Sequence, residues 1–147
     1  MGPRLRLQGG ALTRLSLLVD TSVWSLALRR DSPPPLPEVD ELRRALEAGA
    51  VYSTGLVLQE LLQGFPKASA RKQIIKRFAA LPLLVPDRDD HVEAAELRNT
   101  CRRKGIQIGT IDALLAELCI RHKLTMLTTD RDFRHLATAA SLSVWIG

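Results

Sequence analysis

The sequence has few aromatic residues, few cysteines and no long apolar run. Aromatic side chains make up 4% of the 147 residues, too few for the stacking platforms that many single-strand binders use. The two cysteines, Cys101 and Cys119, have no partner at metal-ligand spacing, which excludes a disulfide scaffold and indicates a reduced, cytoplasmic protein. No apolar stretch approaches the roughly 20 residues of a membrane span, so we expect no membrane partner.

The remaining composition is that of one globular domain with a basic surface. Hydrophobic residues make up 46% and charged residues 25%, as in ordinary soluble domains. The net charge of +5 favours an acidic partner, either nucleic acid or an acidic protein, although a solvated basic surface explains it as well. We expect a loose basic N-terminal arm over residues 1–15, without the apolar region of a signal peptide, and one domain over residues 16–147.

An apolar run near the N-terminus ends abruptly on a carboxylate. Residues 16–24 read Ser-Leu-Leu-Val-Asp-Thr-Ser-Val-Trp, and Leu17–Val19 is typical of a buried parallel strand. Asp20 then follows the carboxyl end of that strand, the edge where open α/β sheets bind ligands. The alternative is that Asp20 caps the next helix, since Asp, Thr and Ser are all good N-cap residues.

Short strands alternate with helices along the rest of the chain. The predicted strands cover residues 17–19, 50–53, 83–85, 125–127 and 143–146, and the predicted helices cover 22–30, 38–47, 56–63, 67–80, 88–103, residues from 110 onward and a short segment around 133–136. This alternation predicts an α/β fold, a central parallel sheet of four to five short strands flanked by helices on both faces. We find no internal repeat and no second domain.

Four acidic residues are expected to meet at one edge of this sheet. Asp20 and Asp130 each follow a strand, and the loops after parallel strands share an edge. Asp112 lies in the first turn of a helix that begins there, and the side chain of Glu60 can point back toward the start of its own helix. Each acid also has a structural interpretation: Asp130 as a helix cap, Asp112 as a helix-dipole residue, Glu60 as a solvated side chain, and Asp132, the weakest candidate, as a surface residue.

Clustered carboxylates point to a divalent cation. They repel one another and resist ionisation unless a positive charge compensates, and Mg²⁺ or Mn²⁺ prefers such oxygen ligands while keeping several waters. These ions polarise a phosphodiester and activate a bound water. Ser22 and Thr129 stand beside the acids and could hold metal-bound waters in place. The cluster therefore predicts metal-assisted phosphodiester hydrolysis.

Four motifs in this order resemble a PIN domain, and most closely the VapC-type toxin of bacterial and archaeal toxin–antitoxin pairs. The resemblance covers residues 16–146, and the motifs are Leu-Val-Asp20-Thr-Ser-Val-Trp, Ser53 with Leu-Gln-Glu60-Leu-Leu-Gln-Gly, Thr110-Ile-Asp112-Ala-Leu-Leu-Ala, and Leu-Thr-Thr-Asp130-Arg-Asp132-Phe. It implies that residues 16–147 form a PIN-like nuclease domain. The implied activity is that of a Mg²⁺- or Mn²⁺-dependent endoribonuclease that cleaves structured RNA, often tRNA or rRNA, and so arrests translation.

The resemblance also implies site residues and partners. Asp20, Glu60, Asp112 and Asp130 carry over as the catalytic, metal-binding acids, with Asp132 as a candidate fifth carboxylate and Ser22 and Thr129 as supporting residues. Members of the family typically form homodimers. A small antitoxin masks the site, and operator DNA is bound only through that antitoxin.

Residues outside the motifs carry weaker expectations. Seven basic side chains are candidates for the RNA backbone, although each is also consistent with a solvated helix face: Arg29, Arg30, Arg71, Lys72, Arg102, Arg103 and Lys104. Trp24 and Trp145 are expected to pack in the core rather than stack on bases. The three histidines, His91, His122 and His135, lie outside the acid motifs.

Other functions fit the sequence less well. A structure-specific DNA nuclease would use a similar acidic cluster, but no added DNA-binding module is evident. A receiver domain needs paired acids after its first strand and a late lysine, and a haloacid-dehalogenase-type phosphatase needs an Asp at the position of Ser22. A catalytically silent scaffold that only binds a protein partner stays open, although all four acids are present.

Overall fold

Five parallel strands form the centre of the protein. The computed structural model describes residues 5–8, 11–29 and 36–147. The central strands are β3 (Leu17–Val19), β4 (Val51–Thr54), β5 (Leu83–Leu84), β6 (Thr125–Leu127) and β7 (Ser143–Val144). They lie in the order β5-β4-β3-β6-β7, and every neighbouring pair is parallel. The predicted α/β fold with a central parallel sheet is therefore confirmed.

Seven helices in the described residues connect these strands. They are α1 (Thr21–Ala27), α2 (Pro37–Glu47), α3 (Gly55–Gly64), α4 (Ala68–Ala79), α5 (Arg88–Arg103), α6 (Thr110–His122) and α7 (Arg131–Ala137). From β3 the chain moves to β4 and β5 on one side, and then crosses back to β6 and β7 on the other. Since parallel crossovers are right-handed, the two directions of travel place helices on opposite faces of the sheet. None of the helices in the described part of the chain is long and apolar enough to span a bilayer.

The N-terminal arm contains a hairpin where the sequence analysis expected a loose segment. Strands β1 (Leu5–Gln8) and β2 (Ala11–Arg14) pair antiparallel, with Leu5 opposite Arg14. They form a two-stranded sheet that is separate from the five-stranded one. The division of the chain at residues 15 and 16 stays a prediction.

The pairing of β3 with β6 sets the position of the functional edge. Val19 lies opposite Leu127, so the two strands end at the same level. The backbone N–H of Asp20 then donates to the carbonyl of Leu127 at 2.9 Å. The chain runs outward from β3 toward β4 and β5 on one side and outward from β6 toward β7 on the other, so the direction of the connections reverses between β3 and β6. Open α/β sheets bind ligands in the crevice at such a switch point. Asp20 and Thr128 are the first residues beyond the strands at that crevice.

The core is built on these central strands. Leu17, Leu18 and Val19 have no exposed surface, as expected for a strand covered on both faces. Trp24 is also buried, and its ring centroid lies 4.9 Å from that of Phe78. Trp145 is buried too, so the prediction that both tryptophans pack in the core is confirmed.

Local sequence signals explain most element ends. Gly49 takes a φ of +66° just after α2, a conformation that glycine adopts without strain. Thr54 Oγ1 accepts a hydrogen bond from the N–H of Val57 at the start of α3. Asp87 and Asp90 form a reciprocal capping box on α5. The first helix ends at Ala27, before the predicted residue 30, and β5 and β7 have two residues each.

Candidate active site

Asp20 occupies the N-cap position of α1 but does not cap it with its side chain. Instead, its Oδ2 atom accepts hydrogen bonds from Ser22 Oγ at 2.8 Å and from Thr128 Oγ1 at 2.9 Å. The residue is only 8% exposed. The capping interpretation of this side chain is therefore wrong, and two hydroxyl groups hold the carboxylate at the end of β3.

Thr128 is the supporting residue that the sequence analysis missed. Its side chain is fully buried, and its hydroxyl donates to Asp20 while accepting the backbone N–H of Asp130 at 2.9 Å. Thr129 supports the site differently, because its backbone N–H donates to Ser22 Oγ at 3.1 Å. The sequence alone gives no signal that favours Thr128 over Thr129, because the choice depends on the register that places Leu127 opposite Val19.

Asp130 combines a structural contact with a position at the acid cluster. Its Oδ1 atom accepts the backbone N–H of Asp132 at 2.9 Å and so caps α7. The predicted capping interpretation is correct for this side chain, which is half-buried. Asp132 is exposed, and it stands in the first turn of the same helix. Both acids are therefore positioned by the start of the same helix, α7.

The raised pKa of Asp112 shows which of the predicted acids act on it. It is half-buried in the first turn of α6. Burial, and then the negative charges of Asp20, Asp130, Glu60 and Asp132, raise the pKa of its carboxyl group to about 6. The charges of all four other predicted acids therefore act on Asp112.

The donor set fits a hydrated hard cation. Across residues 5–8, 11–29 and 36–147, no three acidic, histidine or cysteine side chains surround a common point closely enough to enclose an ion. The groups that face the cluster are carboxylate and hydroxyl oxygens, which Mg²⁺ and Mn²⁺ prefer, and Mg²⁺ is commonly held through one or two carboxylates while waters complete its coordination. A thiolate or imidazole metal site does not fit this crevice.

The family is decided by a comparison of the sequence with family models. The model of the PIN domain matches residues 17–139. The chain belongs to the PIN-domain family. This match includes Asp20, Glu60, Asp112 and Asp130, so the resemblance on which the sequence analysis relied is confirmed.

Individual proteins similar to this PIN domain carry VapC names. It is 30% identical over 128 residues to VapC ribonuclease Mb1587 of Mycobacterium bovis, and the aligned region covers 86% of this chain and 95% of that protein. Ribonuclease VapC11 of Mycobacterium tuberculosis matches with the same identity and coverage. The chain is thus a PIN domain of the VapC type.

Solved structures agree with the fold. A chain in the FitAcB structure from Neisseria gonorrhoeae has a TM-score of 0.68 at 23% identity, with 88% of this PIN domain and 96% of that chain covered. A chain in the structure of VapBC2 from Rickettsia felis bound to a promoter DNA fragment has a TM-score of 0.65 at 20% identity, with the same coverage. At these identities the likeness shows the shared architecture.

The basic candidates of the PIN domain lie on its surface. The described members of the set are all exposed, and they are Arg29, Arg71, Lys72, Arg102, Arg103 and Lys104, while Arg30 lies outside the described residues. Arg102 lines a groove that Asp132 also lines, which places it beside the acids. The three histidines are exposed, and none contributes to the raised pKa of Asp112.

Proposed function

We propose that this PIN domain is a divalent-metal-dependent endoribonuclease and the toxin of a toxin–antitoxin pair. The observation that carries the proposal is that four other carboxylates raise the pKa of Asp112, and that Asp20, one of the four, lies at the switch point of the sheet. Negative charge concentrated at this edge needs a cation before it can meet the phosphates of a nucleic acid. RNA is the favoured substrate because the relatives at 30% identity are named ribonucleases.

Asp20, Asp112 and Asp130 are the residues that we assign to the metal, with Glu60 and Asp132 completing the acidic surface. A bound Mg²⁺ or Mn²⁺ supplies a water of lowered pKa and offsets the charge of the scissile phosphate. At neutral pH the Asp112 carboxyl group is mostly ionised, because its pKa of about 6 lies below 7. It is therefore available as a ligand, and the neighbouring charges favour any cation that neutralises it.

The hydroxyl groups around Asp20 have a positioning role. Ser22 and Thr128 both donate to its Oδ2 atom, and backbone N–H groups of Thr129 and Asp130 fix those hydroxyls in turn. This network restricts the Asp20 side chain to one orientation before any ligand binds. Partners that orient a metal ligand in this way commonly affect metal affinity or activity by roughly ten- to a hundredfold.

The remaining parts of the proposal concern substrate, partners and location. We infer that the substrate is structured RNA such as tRNA or rRNA, that the protein acts as a homodimer in the cytoplasm, and that a small antitoxin covers the acid cluster. Solved structures of similar fold come from FitAB and VapBC assemblies, including complexes with DNA. In this proposal operator DNA is contacted by the antitoxin, not by the PIN domain.

Cleavage of RNA by the partner-free protein tests the proposal. A total small-RNA pool is incubated with Mg²⁺ or Mn²⁺, with EDTA, and with the variants Asp20→Asn and Asp112→Asn. Asp89→Asn is the matched control, because Asp89 is an exposed acid on α5 away from the crevice. We expect discrete products that disappear with EDTA and in both site variants but persist in the control.

Two other results would redirect the assignment. Identical products from the wild type and from Asp112→Asn would indicate a contaminating nuclease and favour the silent scaffold. Metal-dependent cutting of flap DNA in preference to the RNA pool would favour a DNA nuclease.

A further inference from the structure

A polar groove lies beside the acid cluster and is not used in the proposed mechanism. One wall is the C-terminal half of α5, with Arg98 and Arg102, and the other is the connector before α6, with Gln107 and Gly109. Asp132 lines the same groove and also belongs to the acids around Asp112. The groove and the crevice are therefore adjacent surfaces that share one residue.

The two arginines present positive charge that no carboxylate neutralises. They stand four positions apart on α5, so their side chains lie on the same helix face. Within the described ranges, the ion pairs involve other residues, and neither Arg98 nor Arg102 has an acidic partner within 4.0 Å. Arg102 is in the last helical turn, where the helix dipole favours a cation, but Arg98 lies a turn earlier, beyond that effect.

Arg98 is held in place by the connector. Its Nε atom donates to the carbonyl of Ile108 at 2.8 Å, which leaves the two terminal nitrogens of the guanidinium group for a ligand. Arg98 was not among the basic residues singled out from the sequence, because it lies before the Arg-Arg-Lys run at the helix end. A guanidinium group fixed at one edge loses less entropy when it binds an anion than a free one does.

The start of α6 adds to the attraction for an anion. Gly109 is the N-cap of this 13-residue helix and provides no side-chain cap. Backbone N–H groups in the first turn of a helix attract negative charge, and phosphate groups in particular. Gly109 lines the groove together with the arginines, but the carboxylate of Asp112 in the same first turn offsets part of this attraction, so the two arginines are the main source of positive potential.

We propose that this groove binds the phosphate of the RNA nucleotide next to the one that is cleaved, with Arg98 and Arg102 as its ligands. The inference rests on the proposed nuclease function, because a strand that places one phosphate at the acids carries its neighbouring phosphate to an adjacent surface. Guanidinium groups bind phosphate through paired, charge-assisted hydrogen bonds. Asp132 repels a phosphate and the carboxylate of an acidic peptide alike, so it is the adjacent nuclease site that favours an RNA phosphate as the ligand.

Binding of bulk tRNA in EDTA by protein that carries Asp112→Asn, which removes one of the repelling carboxylates, tests the proposal without cleavage. Arg102→Gln removes an exposed side chain that makes no hydrogen bond to a described residue, so the fold is retained. Arg103→Gln is the matched control, since it removes the same charge from the same helix end at a residue outside the groove. We expect Arg102→Gln to weaken tRNA binding about tenfold and to reduce the slope of log Kd against log salt by about 0.7 to 0.9.

A second variant and a second readout separate phosphate recognition from general electrostatics. Arg98→Lys keeps the charge but loses the planar fork, so an intermediate loss of affinity is expected. With Mn²⁺, kcat/KM for RNA cleavage should fall in parallel with tRNA affinity. The Mn²⁺-induced rise in melting temperature should not change in either variant.

Three results would contradict the proposal or isolate its parts. Equal weakening in Arg102→Gln and Arg103→Gln would mean a diffuse basic surface and overturn the subsite. Displacement of tRNA by polyglutamate that depends on Arg102 and exceeds displacement by RNA would assign the groove to a protein partner and overturn it too. Loss of tRNA binding in Arg102→Gln alone, with no metal-dependent cleavage by the wild type, would keep the RNA groove and reject the nuclease.

Discussion

Replacing Asp112 with Asn should stabilise the metal-free protein by an amount that grows as the pH rises from about 4 to above 6. The pKa is raised from 3.8 to about 6 in the folded protein. Because the pKa is higher in the folded protein than in the unfolded chain, folding is accompanied by uptake of a proton at intermediate pH. The stability associated with protonated Asp112 is complete below about pH 4 and is lost as the pH rises through 6. An asparagine side chain at this position cannot ionise, so the variant does not suffer this loss.

The size of the effect follows from the shift. About two pKa units correspond to about 3 kcal/mol at full effect, and solvent screening of the half-buried carboxyl group reduces this to about 1–2 kcal/mol. At pH 8 in EDTA, Asp112→Asn should therefore raise the free energy of unfolding by about 1–2 kcal/mol, or the melting temperature by about 3–6 °C for a chain of this length. At pH 5 the carboxyl group is ionised in the unfolded chain but mostly protonated in the folded one, so about half of this gain should remain, and the two proteins should unfold alike only below about pH 4.

Urea and thermal unfolding at pH 5 and pH 8 measure this difference. Glu96→Gln is the control, because Glu96 is exposed on α5, and its replacement should change stability by less than about 0.5 kcal/mol at both pH values. A stability gain of equal size at pH 5 and pH 8 would refute the electrostatic reasoning. So would a loss at pH 8, which would mean that Asp112 makes a stabilising contact that outweighs the repulsion.

Three further results are expected. In differential scanning fluorimetry, Mn²⁺ at about a hundred times its dissociation constant should stabilise the wild type by about 2.7 kcal/mol and should stabilise Asp112→Asn much less. Equal stabilisation of both proteins would mean that the metal binds elsewhere. Thr128→Val should reduce metal-dependent cleavage at least about tenfold in a single-turnover assay, because Asp20 and the N–H of Asp130 each lose a hydrogen-bond partner. The control is Thr129→Val, which keeps its backbone N–H and should stay within about threefold of the wild type. In urea titrations, Gly49→Ala should lower the free energy of unfolding by about 1 kcal/mol, because Gly49 has a φ of +66°. Gly64→Ala, at the end of α3 with no atom within 4 Å of an added methyl group, should raise it slightly. Changes of the same sign in both variants would contradict this reasoning.

Much of the site was predictable because topology fixes it. The alternation of strands and helices and the position of Asp20 after a buried strand predict one shared edge, and the charges of Asp20 and three other predicted acids act on Asp112. The capping alternatives could not be resolved in the same way, because an Asp that follows a strand and precedes a helix satisfies both patterns. Only the hydrogen bonds of the side chains separate Asp20, which does not cap its helix, from Asp130, which does.

What the sequence could not predict depends on register and side-chain direction. Thr128 and Thr129 have the same chemistry, and choosing between them requires knowing that Val19 pairs with Leu127. Arg98 carries no motif, and its importance depends on a connector that folds back to accept its Nε hydrogen bond. The hairpin in the N-terminal arm is different, because Gly9-Gly10 separates its two strands, and Gly-Gly is a hairpin signal that the sequence analysis did not use.

The pairing of β3 with β6 also determines when the site can exist. Asp20 and its hydrogen-bond partner Thr128 are separated by 108 positions, and Asp112 and Asp130 belong to the same late part of the chain. During synthesis, the first strand leaves the ribosome long before the residues that complete the crevice around it. A nascent chain that has not yet released residue 130 holds Asp20 without the hydrogen bond from Thr128, so the site cannot be assembled until that residue has left the ribosome.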